Sequence, residues 1–541
     1  MLSNLGVSFR CRFRHTGDLA DLSEAIQKQQ CAIQLTPDGL AGLPGRLSNL
    51  GISLQSRFER TGDLTDISEA IIVQQRAVKL TPDGHANLPA LLNNLGNSFI
   101  RRFGRTGDFA DISEAIQNQK RAVQLTPDEH ADLPRRLSNL GISFRGRFHR
   151  TGDLTDISEA IIVQQRAIQL TPDGHADLPA LFNNLGNSFI RRFKRTGDFK
   201  DVSEAIQNQQ RAVQLTPDGH ADLPGRLSNL GISFQSRFEL TGDFKDISEA
   251  IIVQQRGVQL TSNGHADLTA LLNNLGESFL RRHEGSGALD GPSLISALSN
   301  FRLSAISSTG LPHARLGAGI QWTKLSSLSK ISSSDLLEAN ECVIQLLSLI
   351  TSLDNTVQHR YESLKDTSQL TMTASAAALS VDCPEKALEW LEQGRSIVWN
   401  QINRLRTPVE ELRVHDSGLA DRFSTLSVQL ENAGSRTDPR SAGGELSTDA
   451  KISLQNEAHN HIQLAQDWEA LLTSIRNLNI PQFKNFLRPR KCEDLLHGLP
   501  DSGHVIIINV DPMRCDALAV MAGCSKPIHM PLGRFSYKLS C

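Results

Sequence analysis

DLPALFNNLGNSFIRRFKRTGDFKDVSEAIQNQQRAVQLTPDG, residues 177–219, reads as two helices and the joints around them. Leu178, Phe182, Leu185, Phe189 and Phe193 recur at spacings of 4, 3, 4 and 4, one apolar stripe of an α-helix. Asp177 is placed to cap that helix, and Pro179 is tolerated in its first turn, where an N–H would be unpaired anyway. Gly186 lies beside the stripe; a helical glycine costs about 1 kcal/mol against alanine, so its presence suits a helix–helix contact with no room for a side chain. Thr196-Gly197 supplies a C-terminal glycine. Asp201-Val202-Ser203-Glu204 then reads as a capping box, with Asp201 as the cap. The second helix carries Val202, Ala205, Ile206, Ala212 and Val213 on one face, and Pro217 with Asp218-Gly219 turns the chain out of it.

The pattern repeats. Asn-Leu-Gly occurs seven times at intervals of 45 residues, from Asn4 to Asn274, and Thr-Gly-Asp keeps the same beat from Thr16 to Thr241. A fixed period of that size marks a stacked array of one supersecondary unit, so residues 1–283 are expected to form an all-α solenoid of six helical hairpins and a final helix. A 90-residue beat lies over the 45: Ile52, Ile142 and Ile232 alternate with Asn97 and Asn187, in step with Ile-Ile-Val-Gln against Ile-Gln-Asn-Gln on the second helices. These positions either touch in matched pairs or record duplication of a two-repeat block. Gly257, Ser262, Asn263, Thr269 and His283 break the pattern near its end.

Bulk properties narrow the function classes. The net charge of −3 gives no global reason to expect nucleic acid or an anionic membrane as partner. Eight scattered cysteines without a CxxC suggest reduced thiols, and no signal peptide or apolar run of membrane-spanning length is evident, so a cytoplasmic location is expected. Of 27 aromatic residues, 21 are Phe, a core residue more often than a recognition residue.

Beyond the array, residues 284–405 read as degenerate helical repeats, including Ser334 to Ile350 and one long amphipathic helix from Glu385 to Arg404. Residues 406–500 read as helices around a flexible Gly/Ser/Asp linker at about 432–450, with Lys451 to Leu478 again helical. Residues 501–541 change character: His504 to Val510, Cys515 to Met521 and Ile528 to Leu532 are strand candidates, the expected start of an incomplete α/β domain.

Phe182, Leu185, Gly186, Phe189, Ala205, Ala212 and Pro217 resemble the signature of tetratricopeptide repeats, which implies a right-handed α-solenoid. Two departures stand out. The unit is 45 residues, with insertions that lengthen the first helix and the Thr196-Gly197-Asp198 loop, and Gln209 stands where the family carries a large apolar residue. Ala387 to Ser396, Phe483 to Pro489 and Val505 to Leu518 further resemble the fungal type of the CHAT family, in which caspase-like domains are joined to tetratricopeptide repeats. That resemblance implies a cysteine protease whose His and Cys lie on later strands than those present here, and Gly533 to Cys541 fits neither the family pattern nor a domain end.

Candidate sites follow from repetition. Asn94, Asn139, Asn184 and Asn229, with Gln119, Gln164 and Gln209, either line a concave groove and hold an extended peptide or satisfy buried backbone groups. Arg57, Arg102, Arg147, Arg192 and Arg237 either offer a basic stripe to an acidic peptide or form an ion-pair ladder with Glu69, Glu114, Glu159, Glu204 and Glu249. Arg147 and Arg192 join the amides as candidate partner contacts. His85, His130, His175, His220 and His265 recur one repeat apart, roughly 20 Å for two helix diameters, too far to share a zinc ion bonded at about 2 Å, and read as loop or capping residues. Cys524 and His529 share the β region without an apparent third catalytic group. No phosphate-loop, dinucleotide, HExxH or GxSxG pattern occurs at a strand–helix junction. The sequence therefore indicates no catalytic residue, cofactor or metal. The expected function is a scaffold binding a protein or peptide on a concave face, without nucleic acid or membrane, and near-identical repeats also allow self-association. The alternative is the regulatory portion of a caspase-like cysteine protease lacking its catalytic half.

Overall fold

Each Thr-Gly-Asp tripeptide from Thr61 to Thr241 is a complete joint between two helices. In the computed structural model, Thr196 closes one helix, Gly197 takes the left-handed conformation (φ 73°), and Asp198 caps the next by accepting the Lys200 N–H at 3.0 Å. Glycine adopts that φ without steric cost. Asp198 N–H in turn donates to Thr196 Oγ1 at 3.3 Å, so all three residues are engaged. The structure describes residues 1–16, 18–37, 39–265, 267–287, 290–310, 312–329, 332–351, 353, 360, 369–395, 397–434, 448–499 and 502–533. The flexible linker expected at 432–450 and the terminal stretch 533–541 lie largely outside them.

The described residues are mainly helical, as an α-solenoid of hairpins with a small C-terminal sheet. Odd helices α1 (Leu2–Thr16), α3 (Leu43–Thr61), α5 (Leu88–Thr106), α7 (Leu133–Thr151), α9 (Leu178–Thr196), α11 (Leu223–Thr241) and α13 (Leu268–Gly285) alternate with shorter even ones. The even helices are α2 (Leu19–Gln34), α4 (Leu64–Lys79), α6 (Phe109–Gln124), α8 (Leu154–Gln169), α10 (Phe199–Gln214) and α12 (Phe244–Gln259). The extra length relative to the usual repeat therefore enters the helices; the Thr-Gly-Asp joint is short, not an extended loop. The cap of α10 is Asp198, and Asp201 lies buried inside its first turn instead of capping it. At the odd helices, Asp177 makes no side-chain cap; His175 Nδ1 accepts its N–H at 3.2 Å, and the other loop histidines do the same.

Between hairpins the core is continuous. Phe189, Phe193, Val202 and Ile206 pack with Phe234, Phe238 and Ile247 of the following pair. Consecutive odd helices also touch one another directly, from α1 against α3 to α11 against α13, whereas the even helices are not in comparable contact. A stack whose odd helices are closer together than its even ones curves with the odd helices on the inside.

The chain divides into two compact units: Met1–Asn300 with Ser308–Leu311 and Arg440–His459, and Phe301–Ser307, Pro312–Pro439 and Asn460–Cys541. In the second, Leu347, Ala378, Leu388 and Trp390 share a core with Cys492, Leu518 and Val520. The long helix expected from Glu385 to Arg404 is two helices, Pro384–Gly394 and Ile397–Leu405. Arg395 is extended (φ −66°, ψ 114°), and Gly394 lies so close to Thr371 that a Cβ there would sit 2.3 Å from its methyl group. Three strands, β1 (Val505–Val510), β2 (Cys515–Val520) and β3 (Ile528–Pro531), form an antiparallel sheet in that order. Its inner side is tied to helix Leu370–Ser380, Asn509 Nδ2 donating to Met372 O at 3.0 Å and Thr373 Oγ1 to Asp511 Oδ2 at 2.8 Å.

Candidate partner-binding face

The glutamines repeated on the even helices are interior residues. Gln119 is 0 % exposed and Gln164 and Gln209 each 1 %. Each lies under the conserved-in-register glycine of its odd helix: a Cβ on Gly96, Gly141 or Gly186 would approach the Gln119, Gln164 or Gln209 Cγ at 2.6 Å. In six of the seven Asn-Leu-Gly copies, from Gly6 to Gly231, the glycine thus leaves room for a glutamine stem that occupies the space where its side chain would be. An amide fills this interior position, and the backbone of the neighbouring helix closes onto it.

The amides are put to use. Gln209 Nε2 donates to Asn187 Oδ1 at 2.9 Å, and its Oε1 accepts from Ser233 Oγ at 2.6 Å, so one side chain joins α9, α10 and α11. Gln119 repeats this between Asn97 and Ser143 at 3.0 and 2.7 Å. Where isoleucine replaces the asparagine, as at Ile142, the Gln164 Nε2 has no protein partner, although Oε1 still accepts from Ser188. The 90-residue alternation therefore sets whether this buried amide is fully engaged. Asn97 and Asn187 reach the glutamine common to every repeat, not the alternating Gln117 or Gln207 beside it.

Gly186→Ala is expected to destabilise by ~1–3 kcal/mol through overpacking, exceeding the ~1 kcal/mol that alanine gains in helix propensity. In the Gly186→Ala/Gln209→Ala double variant the clash disappears. Denaturant midpoints of the four proteins of this cycle provide the check; strictly additive losses would mean that the two residues do not meet.

Asn94, Asn139, Asn184 and Asn229 are partly exposed on the odd helices. Their Nδ2 groups clasp the preceding odd helix: Asn94 to Ser48 at 3.2 Å, Asn139 to Asn93 at 3.0 Å, Asn184 to Ser138 at 3.1 Å and Asn229 to Asn183 at 3.0 Å. They form a ladder along the inner side of the stack. The arginines form a ladder too, but with aspartates. Arg147 pairs bidentately with Asp156 at 2.8 and 2.5 Å, and Arg192 with Asp201 at 2.8 and 2.6 Å. Asp201 stands in the first turn after the joint and faces the last turn before it, while Glu204 lies a turn further on. In each pair the carboxylate is the deeper partner, Asp156 and Asp201 being 4 % and 2 % exposed. Hydrogen bonding to the carboxylate holds Arg147 and Arg192 above the usual arginine value. Both arginines are engaged in these pairs but keep 31 % and 30 % of their side-chain surface exposed; of the candidate contacts, only the glutamines are interior, and the asparagines and arginines are partly exposed.

Other charged residues of the odd helices escaped the sequence reading. Arg101 pairs with Glu59 at 3.0 Å, and Arg281 with Glu239 at 3.1 Å and Glu277 at 2.6 Å. Arg145 donates to the Asn184 carbonyl at 3.1 Å, and burial together with Arg191 pushes it down to about 10. The signal was available in the sequence, since Arg145, Gly146 and His149 break the Gln-Ser-…-Glu pattern of residues 55–59 and 235–239.

In the sheet, His529 Nε2 meets Asp516 Oδ1 at 2.8 Å, and Arg514 clamps the same carboxylate at 2.7 and 2.6 Å. His529 is thus engaged by a structural ion cluster. Among the described residues, no group of three or more His, Cys, Asp or Glu is arranged to hold a metal, all cysteines are free thiols, and no helix is long and apolar enough to cross a membrane.

No family model and no curated protein matches the chain. Several solved helical-repeat structures are similar. The human IFIT1 dimer with PPP-AAAA is 13 % identical, covering 72 % of this chain and 81 % of that one with a TM-score of 0.42. A putative kinesin light chain of Podospora anserina with nearly identical TPR-like repeats is 14 % identical, over 42 % of this chain and 100 % of that one, TM-score 0.30. A thermophilic tetratricopeptide-repeat protein of Thermus thermophilus is 16 % identical, over 46 % and 98 %, TM-score 0.30.

Proposed function

We propose that this chain is an interaction scaffold that binds a peptide or protein along the inner face of its odd helices. The observation that carries this reading is the unbroken row of polar side chains on those helices, from the asparagine ladder to the charged rungs beside it, on the side where consecutive odd helices converge. A curved stack presents a long surface to a ligand without needing a catalytic pocket. The regular array, residues 1–283, supplies that surface. Selection of displayed peptides against the full chain should return a convergent set. Asn184→Lys should weaken their binding about tenfold, and Ile162→Lys on the outer face of α8 should leave it unchanged. Recovery of no peptide, or equal loss from both variants, would refute the reading.

A second reading rests on the sheet. Its outer side exposes Ile506, Ile508, Ile528 and Met530, at 60, 57, 47 and 37 %, around the small Ala517 and Ala519. A sheet covered by helices on one side and apolar on the other suits the edge of a larger α/β domain of CHAT type, with the array as its regulatory portion. Capture of a separately supplied caspase-like domain by the full chain, abolished by Ile508→Lys, would favour it over the scaffold alone.

A further inference from the structure

The charged rungs of the odd helices follow a rule with one exception. Arg101, Arg191 and Arg281 occupy the same position in α5, α9 and α13, at the 90-residue spacing. Glu59 and Glu239, each 42 residues upstream, neutralise Arg101 and Arg281. These carboxylates are themselves oriented by Gln55 and Gln235, whose Nε2 groups donate to them at 3.1 Å. At the middle rung, the glutamate is replaced by His149 and the glutamine by Arg145. Arg191 is left without a carboxylate at ion-pair distance among the described residues. Lys194 adds another cation where α5 has Gly104.

We infer that Arg145, His149, Arg191 and Lys194, on the facing surfaces of α7 and α9, form a recognition site for an acidic segment of a partner protein. This rests on the scaffold reading and assigns its partner a chemistry. The four groups are near enough to perturb one another: besides burial, Arg191 lowers Arg145, His149 and Lys194 below their usual values, and Arg150 adds to the effect at His149. Burial lowers Arg191 itself. Glu239 and Glu277 act on Lys194 from a distance, but both are engaged by Arg281. Like charges held together without a counter-ion are relieved by an incoming carboxylate, and the effect is strongest where water is partly excluded. Arg191 is crowded by the surrounding helices, which accounts for its lowered value, yet its side chain keeps exposed surface through which a ligand can reach the site.

A protein segment fits better than a nucleic acid. The cations span a single rung; on one side Glu59 is neutralised by Arg101, and on the other Arg281 is outnumbered by Glu239, Glu277 and Glu284, so a phosphate backbone continuing along the face gains nothing from the next rungs. Single-strand binding also relies on aromatic platforms for the bases, whereas Phe144, Phe189 and Phe234 of these helices are buried.

The test uses the full chain and fluorescein-labelled hexaglutamate, with hexaglutamine and hexauridylate as comparison probes, read by anisotropy. Hexaglutamate should bind, more weakly as salt rises, and hexaglutamine should not. His149→Glu restores the carboxylate of the sister rungs and should reduce hexaglutamate binding about tenfold or more, with an unchanged melting temperature. Gln55→Arg/Glu59→His/Gly104→Lys rebuilds all four groups around Arg101, with open space at Gly104 for the new side chain, and should create a second site and double the stoichiometry. Absence of hexaglutamate binding, equal binding by His149→Glu, or tighter binding of hexauridylate would overturn the inference. Selected peptides that bind wild type and His149→Glu alike would remove this site while leaving the scaffold standing; failure to select any peptide would remove the scaffold itself.

Discussion

Asp111→Ala is expected to destabilise the array by about 3–5 kcal/mol, the cost of leaving a buried charge without its partner. Arg102 and Asp111 form the deepest rung of the arginine–aspartate ladder, their side chains 8 % and 0 % exposed and joined at 2.9 and 2.6 Å. Burial works against the Arg102 cation, but the charge and hydrogen bonds of Asp111 outweigh it and keep Arg102 above its usual value. Removing the carboxylate takes away the main support of the buried cation and leaves Asp108 and the Phe99 ring, 5.8 Å away, to oppose the burial penalty. The first rung makes a control, because Arg12 is 60 % exposed and returns to water when Asp21 is deleted. Asp21→Ala should therefore cost much less. Arg102→Met/Asp111→Leu, which removes both charges, should recover most of the loss. Urea denaturation of these variants decides the matter: if Asp111→Ala costs no more than Asp21→Ala, burial does not govern the ladder.

Phe189→Ala should cost about 3–5 kcal/mol, the range for deleting a buried ring without full collapse of the cavity. Phe189 is 5 % exposed, packed with Leu185, Phe193 and Ile206, and Phe234 follows it in the next pair. The ring also lies beneath the Arg192 guanidinium, 5.5 Å from its centroid, so its loss loosens the Arg192–Asp201 rung. In a stacked array each unit is held mainly by its neighbours. A weakened middle unit uncouples the two sides, and the melting curve should broaden or split. A single transition at the wild-type temperature would place Phe189 outside the core.

Much of this architecture was legible in the residues. The 45-residue period, the 4-3-4-4 apolar spacing and the Thr-Gly-Asp joint are local features, and local features fix helices and their ends. The close approach at Gly186 was also legible, although its cause was not. A glycine announces missing space, but the identity of the group filling it depends on how the second helix is rotated, and that rotation places Gln209 there. The arginine partner was misjudged for a related reason. A spacing rule allows Asp or Glu on the second helix, and only the tightness of the joint brings Asp201 within reach of Arg192.

The sequence by itself determined which elements form and how often they recur, because hydrophobic period, capping residues and breakers act over a few residues. Tertiary structure alone decided which polar side chains are interior ties and which remain available. Asn, Gln and Arg carry the same chemistry whether buried or exposed; their role is set by the angle and distance between helices that the period does not encode. That difference separates Gln164, enclosed beneath Gly141, from Arg191, which keeps exposed surface on the odd helices with no carboxylate at ion-pair distance among the described residues.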